Sequence, residues 1–233
     1  MKTFKSIILF VFALSHSPAI SQTAGLEFNF GIGAYSMTDM HDLYDYYVAE
    51  SGKDYKIVTD FPSEFYYGIT FVVGIGKFET GIDYDRYETT GLLQGTYNGL
   101  PASFSDELTG FAVGLFGKYP LYYSPKLQVK AGIVAAYNGT RDKTITTESG
   151  VTTTVYQFRS ESFLLTPFAE TSYSITKWLY IGARANFGYD LGAKLHDKEE
   201  RDIILPDQNG DPVKTNWTGM RADVFIGFRM NSE

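Results

Sequence analysis

Three histidines and no cysteine limit the chemistry open to this 233-residue chain. Acyl transfer or hydrolysis needs a base, most often a His, to activate a Ser or a water. With His16 in the N-terminal segment, only His41 and His196 remain. Asp39, Asp42 and Asp45 stand close to His41 in the chain, but no His-x-Ser motif accompanies either histidine. Both read as solvated loop residues, and no catalytic residue is expected. The run Asp207-Gln208-Asn209-Gly210-Asp211 has part of the composition of a calcium loop. It lacks the spaced third acid and the distal Glu of such a site, so a hairpin tip on Asn209-Gly210 is the better reading. Gly74-x-Gly76 lacks the strand-to-helix context of a dinucleotide site and reads as a turn. The sequence therefore implies no metal and no cofactor.

A second set of charges stands on one face of alternating segments: Glu27, Glu79, Asp83, Lys130, Arg184, Asp190, Arg221, Asp223 and Arg229. Period-2 alternation is the signature of a strand with unlike faces. It recurs eight times. Leu26, Phe28, Phe30 and Ile32 alternate with Glu27, Asn29, Gly31 and Gly33. The same pattern follows over residues 64–74, 78–85, 110–115, 127–137, 158–173, 179–190 and 219–229. The sixth segment has two possible registers, one showing Phe163, Leu165 and Ala169 and the other Leu164 and Phe168, and Pro167 suggests a bulge.

Tight turns join segments 2 to 3, 4 to 5 and 6 to 7, and polar stretches of roughly 15 to 25 residues join the others. All the long connections then lie at one end. The polar face is rich in glycine, including Gly31, Gly68, Gly110, Gly182 and Gly227, rather than the Lys, Glu and Thr of a water-facing surface. Small residues suit a crowded interior, where each charge needs a partner because an unpaired buried charge costs several kcal/mol. The nine charges are thus expected to form an ion-pair network that plugs a lumen. Tyr119, Tyr122, Tyr123, Tyr173 and Trp178 mark the short-turn end of the strands. Tyr35, Tyr67, Tyr84, Tyr137, Tyr189 and Trp217 mark the loop end, as in the girdles of membrane barrels. In the first long connection, Leu43, Tyr46, Tyr47 and Val48 within residues 40–50 have the spacing of a short amphipathic helix that would cap the mouth or touch a partner.

The fold expected is all-β, an eight-stranded antiparallel up-and-down transmembrane β-barrel with a short helix in the first loop. Residues 1–21 have the layout of a secretory signal: Lys2 and Lys5, an apolar run from Ser6 to Leu14, and small residues at Ala19 and Ser21. Residues 22–233 would be the barrel. Without Lys2 and Lys5 the formal charge falls from -7 to -9, and an acidic chain argues against nucleic acid.

Four segments carry a resemblance: Leu26-Glu27-Phe28-Asn29-Phe30-Gly31-Ile32-Gly33, Pro120 with the Tyr pair that follows, Leu179-Tyr180-Ile181-Gly182-Ala183-Arg184, and Val224-Phe225-Ile226-Gly227-Phe228-Arg229. On these the chain, from about Gly25 to Met230, resembles the outer-membrane β-barrel domain family typical of Bacteroidota, and more loosely the OmpA/OmpX-like eight-stranded barrels. The resemblance implies a bacterial outer-membrane location and folding by the outer-membrane assembly machinery. The family's usual terminal aromatic is replaced by Met230-Asn231-Ser232-Glu233, leaving Phe228 to serve.

Some barrels of this size are lipid A acyltransferases or deacylases, but the missing His-x-Ser motif speaks against an enzyme. The expected function is non-enzymatic, structural or surface-binding through long extracellular loops. The expected partners are outer-membrane lipid and lipopolysaccharide, with an extracellular ligand or protein at the loops. Lys198-Glu199-Glu200-Arg201-Asp202 is a solvated loop face, with contact to a divalent cation or lipopolysaccharide as its alternative. A narrow porin-like channel and a soluble lipocalin-like binder are the competing readings.

Overall fold

Successive side chains on a strand point to opposite faces, so a chain alternating aliphatic with small or polar residues builds a sheet with two unlike surfaces. The computed structural model, which describes residues 22–149, 151–207 and 209–231, shows such a sheet. Its strands are β1 (Gln22–Tyr35), β2 (Lys56–Asp60), β3 (Glu64–Ile75), β4 (Phe78–Tyr97), β5 (Leu100–Tyr123), β6 (Leu127–Glu148), β7 (Val151–Ser174), β8 (Leu179–Asp190), β9 (Ala193–Lys194), β10 (His196–Asp197), β11 (Lys214–Thr215) and β12 (Gly219–Asn231). One helix, α1 (Thr38–Glu50), follows β1. Residues 1–21, where the signal peptide is expected, lie outside the described residues.

This corrects the expected eight-stranded up-and-down barrel. Twelve strands are described, and ten of them belong to one large antiparallel sheet in the order β10-β7-β6-β5-β4-β3-β1-β12-β8, with β2 joined to β4. The remaining two, β9 and β11, form a separate pair. β7 pairs with β8 as well as with β6, and the sheet curls so that one of its faces is enclosed. The additional strands β2, β9, β10 and β11 come from connections that read as loops, and each is only two to five residues long.

The expected long loops between the third and fourth and the fifth and sixth segments are also corrected. β4 and β5 pair continuously from Glu79↔Lys118 to Tyr97↔Leu100 and are joined by the two residues Asn98-Gly99. Both have positive φ, 52° and 77°, the geometry of the hairpin turn that Asn-Gly favours. β6 and β7 also pair up to Glu148↔Val151, with one register shift between Thr146 and Thr147.

The register of β7 is settled in favour of Phe163, Leu165 and Ala169 on the outer face, with Leu164 and Phe168 enclosed. No bulge occurs at Pro167, which stands opposite Ile133 in an unbroken register with β6. Pro167 acts on the other side: pairing of β7 with β8 skips Thr166 and Pro167 and resumes at Phe168↔Asn186 without a shift. A proline has no N–H to give to that ladder. The irregularity between β5 and β6 falls at Pro120/Tyr122 instead.

Large apolar side chains cover the outer surface, including Phe30, Phe65 (80% exposed), Leu115 (67% exposed), Ile133, Phe163, Ile181, Val224 and Met230. The enclosed face holds Glu27, Asn29, Asp83, Lys118, Lys130, Glu170, Arg184, Asp223 and the rings of Tyr66, Tyr87, Tyr180 and Phe225. This is the reverse of a water-soluble protein, whose contiguous exposed apolar patches rarely exceed a few hundred Å². Glycine makes room for the enclosed rings. A Cβ on Gly31 would lie 2.6 Å from the Tyr66 ring, and one on Gly110 or Gly227 would collide with Tyr87 or Tyr180. Among the described residues no helix is long and apolar enough to cross a membrane.

Candidate functional site: the enclosed charges and the cap above them

β1, β4, β5, β6, β7 and β8 each carry charge to one level of the enclosed face. Lys118 Nζ on β5 lies 3.1 Å from Glu27 Oε1 on β1, 2.8 Å from Glu170 Oε1 on β7 and 3.4 Å from Glu79 Oε2 on β4. Arg184 on β8 reaches Glu27 Oε2 at 3.0 Å and Glu170 Oε2 at 3.3 Å. Lys130 donates to both Glu79 carboxylate oxygens at 2.8 Å. The Tyr180 hydroxyl donates to Glu27 at 2.9 Å. Three cations thus meet three carboxylates, and Glu27, Glu170 and Lys118 are almost fully buried.

Of the nine charges singled out from the sequence, the structure brings together Glu27, Glu79, Lys130 and Arg184. Arg221 lies higher, 3.4 Å from Asp85 Oδ2 and 3.0 Å from Thr166 Oγ1. Asp83, Asp190 and Asp223 are buried, and the partners described for them are hydrogen-bond donors. Asp83 accepts from Thr70 Oγ1 at 2.5 Å, Asp223 from the Tyr66 hydroxyl at 2.6 Å, and Asp190 from the Trp217 backbone N–H at 3.1 Å. The Arg229 guanidinium stands 5.0 Å over the Tyr180 ring. A cavity of about 10 Å³ lies among Tyr66, Asp83, Asp85, Arg184, Arg221 and Asp223. That is room for about one water.

Sequence reasoning missed Lys118, the centre of the cluster, together with Glu170 and Asp85. Lys118 lies three residues beyond Leu115, where the alternation of the fourth segment breaks off because Gly117 stands at the next outward position. Extending the period past that glycine would have placed Lys118 on the charged face. Glu170 was hidden by the undecided register around Pro167. Asp85 falls on the same face as Asp83.

Above the charges the enclosed space is filled by aromatics. The Trp217 ring packs 4.4 Å from Tyr87 and 4.9 Å from Tyr35, and its Nε1 donates to Thr140 Oγ1 at 2.8 Å. Trp217 and Tyr35 are therefore inside, not in the outer girdle expected of them. Tyr67, Tyr84, Tyr137 and Tyr189 are exposed at that level, as are Tyr119, Tyr122, Tyr123, Tyr173 and Trp178 at the opposite end.

Helix α1 closes the top. It buries Met40, Leu43 and Tyr44, one turn apart, and turns Val48 outward. The Tyr44 ring meets Phe104 of β5 edge-on at 5.8 Å and the Tyr47 ring lies tilted against it at 4.7 Å, and the Tyr44 hydroxyl accepts from the Asp106 backbone N–H at 3.1 Å. Beneath it, Asp106 on β5 and Asp142 on β6 share one hydroxyl: Thr144 Oγ1 is 2.6 Å from Asp106 Oδ1 and 3.2 Å from Asp142 Oδ2. Burial pushes the Asp106 carboxyl up to about 6. Burial, then the charge of Asp106, pushes Asp142 well above the ordinary carboxylate value. Burial, then Asp106, also raises the Tyr44 hydroxyl.

Both carboxyls hold a proton more tightly in the folded cap than in the unfolded chain. The cap is therefore favoured at low pH and loses stability as pH rises from about 4 through about 6 and beyond. Backbone amides of α1 should exchange faster at pH 8 than at pH 5 once intrinsic rates are divided out. Asp106→Asn should flatten that dependence, and an unchanged pH profile in the variant would contradict it.

Neither histidine is the solvated loop residue expected, since His41 lies on α1 and His196 on β10 and both are half-buried. His41 Nδ1 contacts the Asp60 carboxylate on β2 rather than Asp39, Asp42 or Asp45, and Asp39 accepts from the Lys214 N–H at 3.0 Å. His196 lies on β10 opposite Arg159. Asp207 Oδ1 accepts from the N–H groups of Asn209 and Asp211 at 2.8 Å, and Gly210 has φ 83°, which makes this segment a self-closed turn. Among the described residues no group of three or more His, Cys, Asp or Glu could hold a metal ion.

No protein-family model matches the chain, and no curated protein matches it. Solved structures do. A major outer membrane protein from Thermus thermophilus is 11% identical, with 89% of this chain and 99% of that chain covered and a TM-score of 0.51. Neisserial surface protein A is 12% identical over 91% of this chain and 97% of its own, with a TM-score of 0.46. The N-terminal β-barrel domain of Pseudomonas aeruginosa OprF is 11% identical over 88% and 97%, with a TM-score of 0.39. The class defined is that of an all-β fold shared with the Thermus outer membrane protein. The narrower Bacteroidota-type, OmpA/OmpX-like subtype is not singled out by these likenesses.

Proposed function

We propose that the chain is a non-enzymatic integral protein of a bacterial outer membrane, with residues 1–21 a secretory signal and residues 22–233 the mature protein. The observation that carries this reading is the inversion of polarity. Phe65, Leu115, Ile133, Phe163 and Val224 face outward, while Glu27, Lys118, Glu170 and Arg184 are enclosed. Lipid is the solvent in which that arrangement is stable, and strands with satisfied backbone groups can cross it. Aromatic residues at both ends of the outward apolar band support the same reading, as does the fold shared with the Thermus outer membrane protein.

The outward residues of β4 to β7 change from apolar to charged above Tyr84, Phe111, Tyr137 and Phe163, which sets the upper edge of the band. The long hairpins and α1 then stand outside the bilayer, where a rigid scaffold presents contacts to an external surface. The network around Lys118 acts as a plug that braces the strands, and the water-sized cavity speaks for bracing rather than conduction.

Fractionation of the cell envelope tests this directly. The protein should partition with the outer membrane, resist extraction by salt or carbonate, and migrate differently on a gel with and without boiling. Recovery in the soluble periplasmic fraction without detergent would refute the proposal.

A further inference from the structure

On the outer face, immediately above the apolar band, β4 to β7 bring several positive charges together. Arg141 on β6 stands directly opposite Arg159 on β7, on the same face of the sheet. Like charges in that position repel. Neither guanidinium has an ion pair or hydrogen bond among the described residues. Around them a groove of about 450 Å³ is also lined by Arg86, Lys143 and Lys198, with the Tyr84 and Phe111 rings at its lower edge. The volume falls within the roughly 300–1,000 Å³ usual for small-molecule sites.

The neighbouring acids are largely engaged. Glu88 takes the Arg86 guanidinium at 2.8 Å and Glu107 takes Lys143 at 3.2 Å, while Lys198 donates to Gln157 at 3.0 Å. The Asp142 side chain is buried on the other face. The unmatched charge is that of the Arg141 and Arg159 forks, a geometry suited to bidentate recognition of phosphate. Lys198 is brought to the rim by β10, whose pairing with β7 at His196↔Arg159 and Asp197↔Phe158 fixes the wall of the groove.

We propose that this groove binds a phosphate-bearing headgroup, that of a phosphorylated glycolipid in the outer leaflet, with Arg141 and Arg159 gripping the phosphate. The assignment of the source rests on the membrane reading above, because the groove opens at the level where the outward aromatics end and lipid headgroups begin. The chemistry of the groove, a pair of unmatched arginines around a phosphate, does not depend on that reading.

The full chain, refolded and checked by gel mobility, is titrated in two settings by intrinsic tryptophan fluorescence. In phosphatidylcholine nanodiscs the probe is diphosphorylated lipid A against its dephosphorylated form. In neutral detergent it is free glucosamine 1-phosphate and inorganic phosphate. We expect the diphosphorylated lipid to bind at least 10-fold more tightly than the dephosphorylated one. Arg141→Gln/Arg159→Gln should remove that preference while keeping the folded mobility, since both side chains are on the outer surface. Equal affinity for the two lipids, or a preference that survives in the double variant, overturns the proposal. Tight binding of the free sugar phosphate with no lipid preference overturns the lipid source and assigns the groove to a soluble phosphate. A failure of the membrane reading shows itself separately, as a chain that does not enter nanodiscs at all.

Discussion

Replacing Lys118 with methionine should destabilise the folded protein by about 3–5 kcal/mol, because it strands buried carboxylates without their shared cation. Lys118 Nζ is within 3.4 Å of Glu27, Glu79 and Glu170, and its side chain is fully enclosed. Methionine has nearly the same length and fills the space, so the loss reports charge rather than a cavity. Arg184 still reaches Glu27 and Glu170, and Lys130 still holds Glu79, so the fold is weakened rather than abolished. The measurement is urea unfolding of the refolded chain in detergent micelles or lipid vesicles. Adding Glu170→Gln to Lys118→Met should recover part of the loss, since it removes one of the stranded charges. A Lys118→Met variant with an unchanged midpoint would mean that the cluster contributes no net stability.

The second large effect is at the outer surface. Leu115→Arg should cost about 2–4 kcal/mol in a bilayer, the range for a charge near the midplane on the lipid face of a strand protein. Leu115 lies halfway between the outward aromatics Phe111 and Tyr119 of β5 and is 67% exposed. In a protein surrounded by water the same change at an exposed leucine stays within about 0.5 kcal/mol. Vesicle-based unfolding of Leu115→Arg beside Glu107→Arg, which sits on the same strand face above the band, separates the two cases. If both variants lose equally little, the outer face is not in lipid.

The sequence was most informative where strand faces differ most in chemistry. Within the apolar band, an outward aliphatic alternates with an enclosed Gly or charge, so β1, β3, β8 and β12 could be read nearly to their ends. Above the band the outward residues are polar and the enclosed ones mix Tyr87, Leu93 and Leu108 with Asp106, Asp142 and Thr144, so the alternation disappears although the strands continue. Thr89, Thr90, Thr144, Thr146 and Thr147 kept a strand-favouring composition there, and Asn98-Gly99 was the turn signal that would have converted two supposed loops into hairpins. The helix was legible in place and partly in facing: Leu43 and Tyr47 turn inward as expected, Met40 and Tyr44 complete the buried side, and Val48 points away. In the charged cluster, four residues were legible because they lie in regular alternation. Lys118 and Glu170 were not, since one lies past an outward glycine and the other beside a proline.

The hairpins that replace the expected loops change what the protein offers to anything that approaches it. Thirteen residue steps separate Tyr84 at the edge of the apolar band from Tyr97 at the end of β4. At about 3.3 Å per residue they extend about 40 Å along the strand. A flexible loop of that length must surrender conformational freedom when it is gripped, and its tip samples a wide volume beforehand. Here the ladder from β4 through β7 has already fixed the backbone, so Asn98 and Gly99 are held at the end of a stiff post. An antibody or other large binding partner would meet a surface of constant shape, and one whose recognition survives dilution of the partner better than that of a mobile loop.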